Sequence, residues 1–343
     1  MSTGNWLLRR GTRPGRYRYV ADNGRAASAK RAAQIDALAI PPGWKDVHVA
    51  ASDRSAIQAW GYDARGRKQY RYHPRDIQRG QLRKYYRVRQ MGEDLPRIRR
   101  RLARDFAGRR LTRERVLAGI IRFLADGFFR VGNERYTKEN KTFGLTTLRK
   151  KHVTVKDDQV IFDFIGKRSI RHRKTVVDRE LARFVTQLLE APGQRLFRYQ
   201  DDDGEWHDVD SAEVNDYLQS LASFPYSAKD FRTWGGTLRA ATVLDEFGPA
   251  SSEREANRNV VTAMRLVASE LGNTPAICRA SYVHPVVIER YVEEGDTIGV
   301  RLARSGNGRS SRVAAHTPEE RALIAFLARY FPERRSERRV DED

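Results

Sequence analysis

The chain has 343 residues, which is long enough for about two domains and a sizeable hydrophobic core. It carries 65 lysine and arginine residues against 44 acidic ones, and its net charge of +21 favours a polyanionic partner, nucleic acid in particular. The single cysteine, Cys278, excludes an intrachain disulfide and a cysteine-based zinc site. Since no apolar run approaches a membrane span or the core of a signal peptide, we expect a soluble cytoplasmic protein that does not bind membranes.

The N-terminal third predicts a small β-sheet. Residues 1–20 look like a basic lead-in followed by a short strand, 26–38 like a helix, and 47–59 like strands. A hairpin connection then leads to a strand whose alternation places Lys68, Tyr70 and Tyr72 on one face. Basic residues interleaved with tyrosines suit contacts with phosphate and sugar. An edge strand with its tyrosines packed inward explains the pattern equally well.

The chain then becomes helical. Residues 78–89 are strongly basic, and an apolar stripe that ends at Phe106 predicts a helix. We place the domain boundary here, with a β-rich domain over 1–88 and a second domain over 89–343, whose tail after about 332 is predicted to be disordered. Arg130 follows two apolar residues, and a half-buried arginine needs an anion. That anion is more often a carboxylate of the same fold than a substrate phosphate.

Residues 147–177 predict a β-meander, with strands over 147–155, 160–165 and 170–177. Lys167 lies at the tip of its second hairpin, where a lysine is normally only a solvated charge. Arg168, Arg171, Arg173 and Lys174 crowd the same hairpin, and such a density of like charge is unfavourable without a polyanion nearby.

The last third predicts helices whose ends carry polar residues. Ser227 and Asp230 begin a helix with Arg232 in or next to its first turn, where backbone N–H groups favour an anion. A helix over 252–271 stops at Gly272, and a short helix then carries Tyr282 on its last turn. A tyrosine in this place can be a nucleophile, although a single tyrosine is more often a packing aromatic. Residues 297–302 predict a strand, and a final helix begins at about 317.

Five segments, taken together, resemble the type IB DNA topoisomerases, in particular their poxvirus-like and bacterial branch. They occur in the order of that family: 66–74, 130–148, 164–167, 229–234 and 272–282. Any one segment is weak evidence, whereas all five in order are specific. One position departs from the poxvirus and nuclear pattern, which has histidine where this chain has Asn273; bacterial members resemble this chain. An amide can donate a hydrogen bond but cannot become a cation or transfer a proton.

The resemblance implies an α+β fold, with a small antiparallel sheet domain that binds DNA and a mainly helical catalytic domain with a small β-meander. It implies that Tyr282 is the nucleophile, Lys167 the general acid, and Arg130, Arg232 and Asn273 the groups that stabilise the transition state. It also implies a monomer that clamps duplex DNA, in association with the nucleoid, without a metal, nucleotide or other cofactor. The implied DNA contacts are Arg67, Lys68, Tyr70, Tyr72 and Tyr136.

Two other functions fit parts of the pattern. A tyrosine recombinase shares the catalytic fold, but recombinases usually have histidine where this chain has Lys229, and the strand with Tyr70 and Tyr72 favours the topoisomerase. A non-catalytic DNA-binding protein would need only the basic N-terminal third, and it leaves the five ordered segments unexplained.

Overall fold

The computed structural model describes residues 6–11, 16–300 and 315–331. The chain forms two compact units, Met1–Lys84 and Tyr85–Asp343. The first contains a five-stranded antiparallel sheet, and the second is mainly helical with two small antiparallel sheets. The predicted α+β class is confirmed. Within the described ranges, no helix is long and apolar enough to cross a membrane.

The sheet of the first unit has the strand order β2-β1-β3-β4-β5. Its strands are β1 Trp6–Arg10, β2 Arg18–Ala21, β3 Lys45–Ala50, β4 Ile57–Tyr62 and β5 Lys68–Tyr72. Helix α1, Ala29–Ala37, begins at Ser28, whose hydroxyl accepts from the backbone N–H of Arg31. Its Ile35 packs with apolar residues of the sheet, Leu7, Tyr19, Val47, Val49 and Ala59.

One prediction for this unit is wrong. Residues 6–10 are not a basic lead-in, because β1 pairs with both β2 and β3 inside the sheet. Its Leu7 is buried and pairs with Ala21 of β2 and Val49 of β3, so the apolar start of the strand lies in the core of the sheet and the two arginines come at its end. Residues 1–5 lie outside the described part of the chain.

Helix α2, Pro74–Phe106, includes the basic segment over 78–89, and the division between the two units falls inside it. The helices that follow in the second unit are α3 Arg113–Gly127, α4 Glu134–Asn140, α5 Arg179–Glu190, α6 Ser211–Leu221, α7 Ala228–Phe247, α8 Glu253–Leu271, α9 Pro275–Ser281, α10 Pro285–Glu294 and α11 Pro318–Tyr330. Most begin at a capping residue: Thr112, Asn133, Asp178, Asp210, Ser252, Thr274 and Thr317 each accept a hydrogen bond from the first turn. The predicted caps Ser252, Thr274 and Thr317 are confirmed.

A three-stranded meander, β6 Val153–Lys156, β7 Gln159–Ile165 and β8 Arg171–Val177, packs beside these helices. The remaining strands, β9 Arg198–Gln200 and β10 Trp206–Asp208, form a hairpin. The strand predicted over 147–155 is wrong for 147–152. This segment begins as a 3₁₀ turn, Leu145–Thr147, because the Thr147 hydroxyl accepts from the N–H of Gly144 and donates to its carbonyl.

Two C-terminal predictions have different outcomes. Residues 297–299 are irregular instead of a strand, and the N–H of Gly299 donates to the Asp245 carboxylate. Val300 is helical and buried, so the strand prediction is wrong there as well. Residues 301–302 of that predicted strand and the predicted disordered tail lie outside the described residues.

An aromatic cluster in the core brings the functional elements together. Phe123 of α3 and Phe129 just beyond it both pack edge-on against Phe162 of β7, with ring centroids 5.1 and 4.8 Å apart. All three rings are buried. The cluster therefore fixes the end of α3 against the meander, which is where Arg130 and Lys167 leave their elements.

Candidate active site

Four helix ends converge beside the meander, and each carries one candidate side chain. Helix α3 ends at Gly127, and Phe128 turns the chain with a φ of 51°, so that Arg130 follows within one turn. Helix α8 ends at Gly272, whose left-handed φ of 58° redirects the backbone before Asn273. Tyr282 caps the C-terminus of α9, and Arg232 lies in the second turn of α7.

Arg232 joins these helix ends from inside. Its side chain is buried, and Nη1 donates to the carbonyl of Phe128 while Nη2 donates to the carbonyl of Leu271 at 2.8 Å. Its Cζ lies 5.0 Å from the centre of the Tyr282 ring. One guanidinium therefore holds the ends of α3 and α8 in register and faces the candidate nucleophile.

Arg130 contacts the other candidate donor directly. Its Nη2 donates to Oδ1 of Asn273 at 2.6 Å and to the carbonyl of Gly272 at 3.2 Å. Among the described residues, neither Arg130 nor Arg232 has a carboxylate within ion-pair distance. The interpretation that a carboxylate of the same fold neutralises Arg130 is therefore wrong for this part of the chain.

Two buried donors of these residues have no acceptor among the described residues, namely Nε of Arg232, whose guanidinium faces the phenol, and Nδ2 of Asn273, which is bonded to Arg130 through its amide oxygen. The orientation of the Asn273 amide follows from its partner, because Arg130 can only donate and must face the amide oxygen. A buried N–H without an acceptor costs about 1–3 kcal/mol. The arrangement thus favours an anion that would accept from both donors.

The site is strongly cationic, and its positive charges change the pKa of the Tyr282 phenol. Burial lowers the pKa of Arg130 to about 10, with the charge of Arg232 adding to the effect, and burial likewise lowers the pKa of Arg232. Arg130 therefore remains protonated at neutral pH. Burial by itself would raise the pKa of Tyr282, but the positive charge of Arg232, together with the charges of Arg130 and Lys229, outweighs it and lowers that pKa.

Lys167 lies where the sequence places it, in the turn between β7 and β8. Its side chain is exposed and lines a narrow cleft together with Arg130, Arg232, His172 and Lys174. The next residue, Arg168, has a φ of 65°, so the tip is a tight turn. Lys167 therefore shares one cleft with the two arginines.

The crowded charges of this hairpin are partly compensated inside the fold. Arg171 forms a two-pronged ion pair with Asp163 across the strands, at 2.7 and 2.8 Å. Lys174 points inward, and its Nζ donates to the carbonyls of Gly127 at 2.7 Å and Glu270 at 2.6 Å. The prediction that these charges require a polyanion is thus wrong for these two residues.

The predicted DNA contacts of the first unit lie on an open face of the sheet. Lys68, Tyr70 and Tyr72 alternate outward along β5, and the two tyrosines are 40% and 47% exposed. The interpretation with inward-packed tyrosines is therefore wrong. Arg67 forms an ion pair with Asp63 at 2.7 Å. In the second unit, Tyr136 of α4 is 55% exposed.

Both halves of the chain match known families. Residues 75–304 match the catalytic core of eukaryotic DNA topoisomerase I, and residues 16–63 match the N-terminal domain of bacterial DNA topoisomerase IB. The DNA topoisomerase 1B of Acanthamoeba polyphaga mimivirus is 31% identical over 280 residues, which cover 80% of this chain and 83% of that protein. The DNA topoisomerase 1B of vaccinia virus, strain Copenhagen, is 25% identical over 167 residues, 47% of this chain and 49% of that protein.

The chain belongs to the type IB DNA topoisomerases. It is an isomerase with DNA as its substrate, and the resemblance found in the sequence is confirmed. Its N-terminal domain is of the type found in bacterial DNA topoisomerase IB. The roles of single residues in this topoisomerase remain predictions.

Two residues of the topoisomerase site were missed by sequence reasoning, His172 and Lys174. Burial and the charges of Arg130 and Lys174 lower the pKa of His172 to about 4, so its imidazole is neutral at neutral pH. Burial and the charge of Arg232 lower the pKa of Lys174 to about 8. The alternation of β8 contains the signal, since His172, Lys174 and Val176 share the face that turns toward the core.

We expect the Tyr282 phenol to ionise at a lower pH than an ordinary tyrosine, because the surrounding cations favour the phenolate. An ultraviolet difference titration of the unmodified protein against Tyr282→Phe isolates this one phenol. Its midpoint is expected below the ordinary value of about 10, and Arg232→Gln is expected to move it upward. A midpoint at or above the ordinary value would contradict the electrostatic account of the site.

Proposed function

We propose that this topoisomerase relaxes supercoiled duplex DNA by cutting one strand transiently through a 3′-phosphotyrosyl intermediate. The observation that carries the proposal is the pair of buried, unsatisfied donors, Arg232 Nε and Asn273 Nδ2, beside a phenol with a lowered pKa. In this proposal the scissile phosphodiester is the anion that accepts from these donors when Tyr282 attacks it.

In the proposed cleavage step, the Tyr282 oxygen attacks the scissile phosphorus and the bond from phosphorus to the 5′-oxygen breaks. The lowered pKa of the phenol supports this role, since an ionised oxygen is the better nucleophile. The phosphotyrosyl ester conserves the energy of the broken bond. Attack by the 5′-hydroxyl therefore reseals the strand without a nucleotide, and we propose that no metal or other cofactor takes part.

The two arginines and Asn273 stabilise the transition state in this proposal. Charge develops on the non-bridging oxygens of the five-coordinate phosphorus, and preorganised donors act most strongly on developing charge. Arg130 already donates to Asn273 and Gly272 through Nη2, which leaves its other donors for the phosphate. As an amide, Asn273 contributes a hydrogen bond and no proton.

Lys167 is the proposed general acid. The departing 5′-oxygen must gain a proton, which the ammonium of Lys167 supplies, and the resealing step returns it. Its exposed position in the hairpin turn, beside the cleft with both arginines, supports this role because the leaving strand approaches from the open side. The guanidinium groups keep their protons at neutral pH and are poor proton carriers.

We propose that the first unit binds duplex DNA and that it closes with the catalytic unit as a monomeric clamp while the cut strand swivels. The outward row of Lys68, Tyr70 and Tyr72, together with Arg67 and Tyr136, supports contacts to the DNA backbone. Replacing both strand tyrosines with phenylalanine is expected to weaken duplex binding about thirtyfold, at about 1 kcal/mol for each of the two lost hydrogen bonds. Fluorescence anisotropy with a labelled duplex measures the affinity. An unchanged affinity would show that the two tyrosines do not contact the DNA.

Plasmid relaxation in EDTA without ATP tests the proposed function. We expect complete relaxation of both positively and negatively supercoiled plasmid, because torsion drives the rotation. A recombinase would instead give recombinant products with little relaxation, and a non-catalytic DNA-binding protein would leave the plasmid supercoiled. Relaxation that requires a divalent metal or a nucleotide would contradict the proposal.

A further inference from the structure

His172 lies between two glycines that each precede a proposed functional residue. Gly166 precedes Lys167, and Gly272 precedes Asn273. A Cβ built on Gly166 would lie 2.5 Å from Cδ2 of His172, and one built on Gly272 would lie 2.1 Å from Cε1. The imidazole therefore occupies the space that a side chain at either position would need.

The close contact with the His172 ring explains why residue 166 is a glycine. Its φ of −102° is accessible to other residues, so the backbone does not require glycine there. At Gly272 the left-handed φ of 58° also favours glycine. The close approach of the ring is thus the feature that the two positions share.

The ring itself is held firmly. His172 is 8% exposed, pairs with Phe164 across the strands, and stacks on that ring at 5.4 Å between centroids. Among the described residues, no hydrogen bond or ion pair to its nitrogens is present, so packing alone fixes its position. It also lines the cleft that contains Arg130, Lys167 and Arg232.

We propose that His172 is a positioning residue whose imidazole acts as a spacer between the Lys167 turn and the Gly272–Asn273 turn. Without the ring, the turn that carries the proposed general acid loses the surface against which it rests. A shift of about 1 Å at a reacting group can cost a hundredfold in rate. The inference deepens the proposed function and depends on Lys167 being the general acid.

The experiment compares single-turnover cleavage of two DNA duplexes that differ at one atom. One has the ordinary 5′-oxygen at the scissile phosphate, and the other has sulfur there, a leaving group that needs no proton from the enzyme. We expect His172→Ala to slow cleavage of the oxygen substrate by about 10- to 100-fold, and the sulfur substrate by only a few fold. His172→Phe, which keeps a planar ring without a titratable nitrogen, is expected to retain most of the activity.

Gly166→Ala supplies an independent test, because its methyl group must displace the ring while leaving His172 in the sequence. We expect the same preferential loss on the oxygen substrate. Val177→Ala is the matched control, since Val177 is 64% exposed at the far end of the same strand. Circular dichroism and thermal unfolding establish that each variant is folded before its rate is interpreted.

Lys167→Ala separates failure of this inference from failure of the proposed function. If Lys167→Ala is slow on oxygen and recovers on sulfur, Lys167 is the acid. Equal losses on both substrates for folded His172→Ala and Gly166→Ala then overturn the positioning role alone. If Lys167→Ala does not recover on sulfur, the proposed acid is wrong. If His172→Phe is inactive and His172→Gln is active, the ring does not act as a spacer. A polar atom of His172 would then be the feature that the reaction needs.

Discussion

Replacing Tyr282 with phenylalanine is expected to abolish plasmid relaxation and the covalent protein–DNA adduct together. The substitution removes one oxygen and leaves the ring beside Arg232, so the fold is expected to persist. Loss of a nucleophile lowers the rate by about 10⁴-fold or more, since the remaining groups cannot form the intermediate. Relaxation gels and denaturing electrophoresis of protein bound to a labelled duplex measure the two effects.

A matched control for this prediction is Tyr199→Phe. Tyr199 is a part-buried tyrosine of the same unit, and its hydroxyl donates to Glu213 far from the site. It is expected to relax plasmid at the normal rate. An adduct that still forms in Tyr282→Phe would mean that another residue is the nucleophile, and peptide mapping of that adduct would identify it.

Replacing Arg130 with alanine is expected to lower the single-turnover cleavage rate by about a thousandfold, because preorganised donors to a developing anion typically contribute 10²–10³ each. The effect on duplex affinity is expected to be small, since many other contacts bind the DNA. Arg130→Lys is expected to remain strongly impaired. A lysine ammonium that kept the bonds to Asn273 and Gly272 would have one N–H left for the phosphate, whereas the guanidinium keeps Nε and Nη1 as a planar pair of donors.

Arg239→Ala is the control for the loss of a positive charge, because Arg239 lies on α7 and forms a half-buried ion pair with Glu270. It removes one positive charge near the site without removing a donor to the proposed phosphate position. We expect a change of only a few fold. If Arg239→Ala lost as much activity as Arg130→Ala, general electrostatic attraction rather than local donation would explain the effect.

The sequence was sufficient to predict several helix starts, because these depend on neighbouring residues, whereas the α+β fold class was implied by the family resemblance. Ser252 and Thr274 cap their helices through bonds that span three residues, and Gly272 ends α8 through its own φ. The row of Lys68, Tyr70 and Tyr72 followed from strand alternation. The prediction failed for β1 because its place in the sheet depends on pairing with β3 some 40 residues later.

The five candidate site residues were recognisable in the sequence only through their family resemblance, since each has an ordinary structural explanation by itself. Their contacts are non-local: Arg130 reaches Asn273 across 143 residues, and Arg232 reaches Phe128 across 104. The inward position of His172 and Lys174 likewise arises from packing against segments distant in the chain. Local sequence therefore determined the elements and their caps, whereas tertiary packing alone decided which charges remain unpaired beside Tyr282, because burial and hydrogen-bond satisfaction depend on partners that no short segment contains.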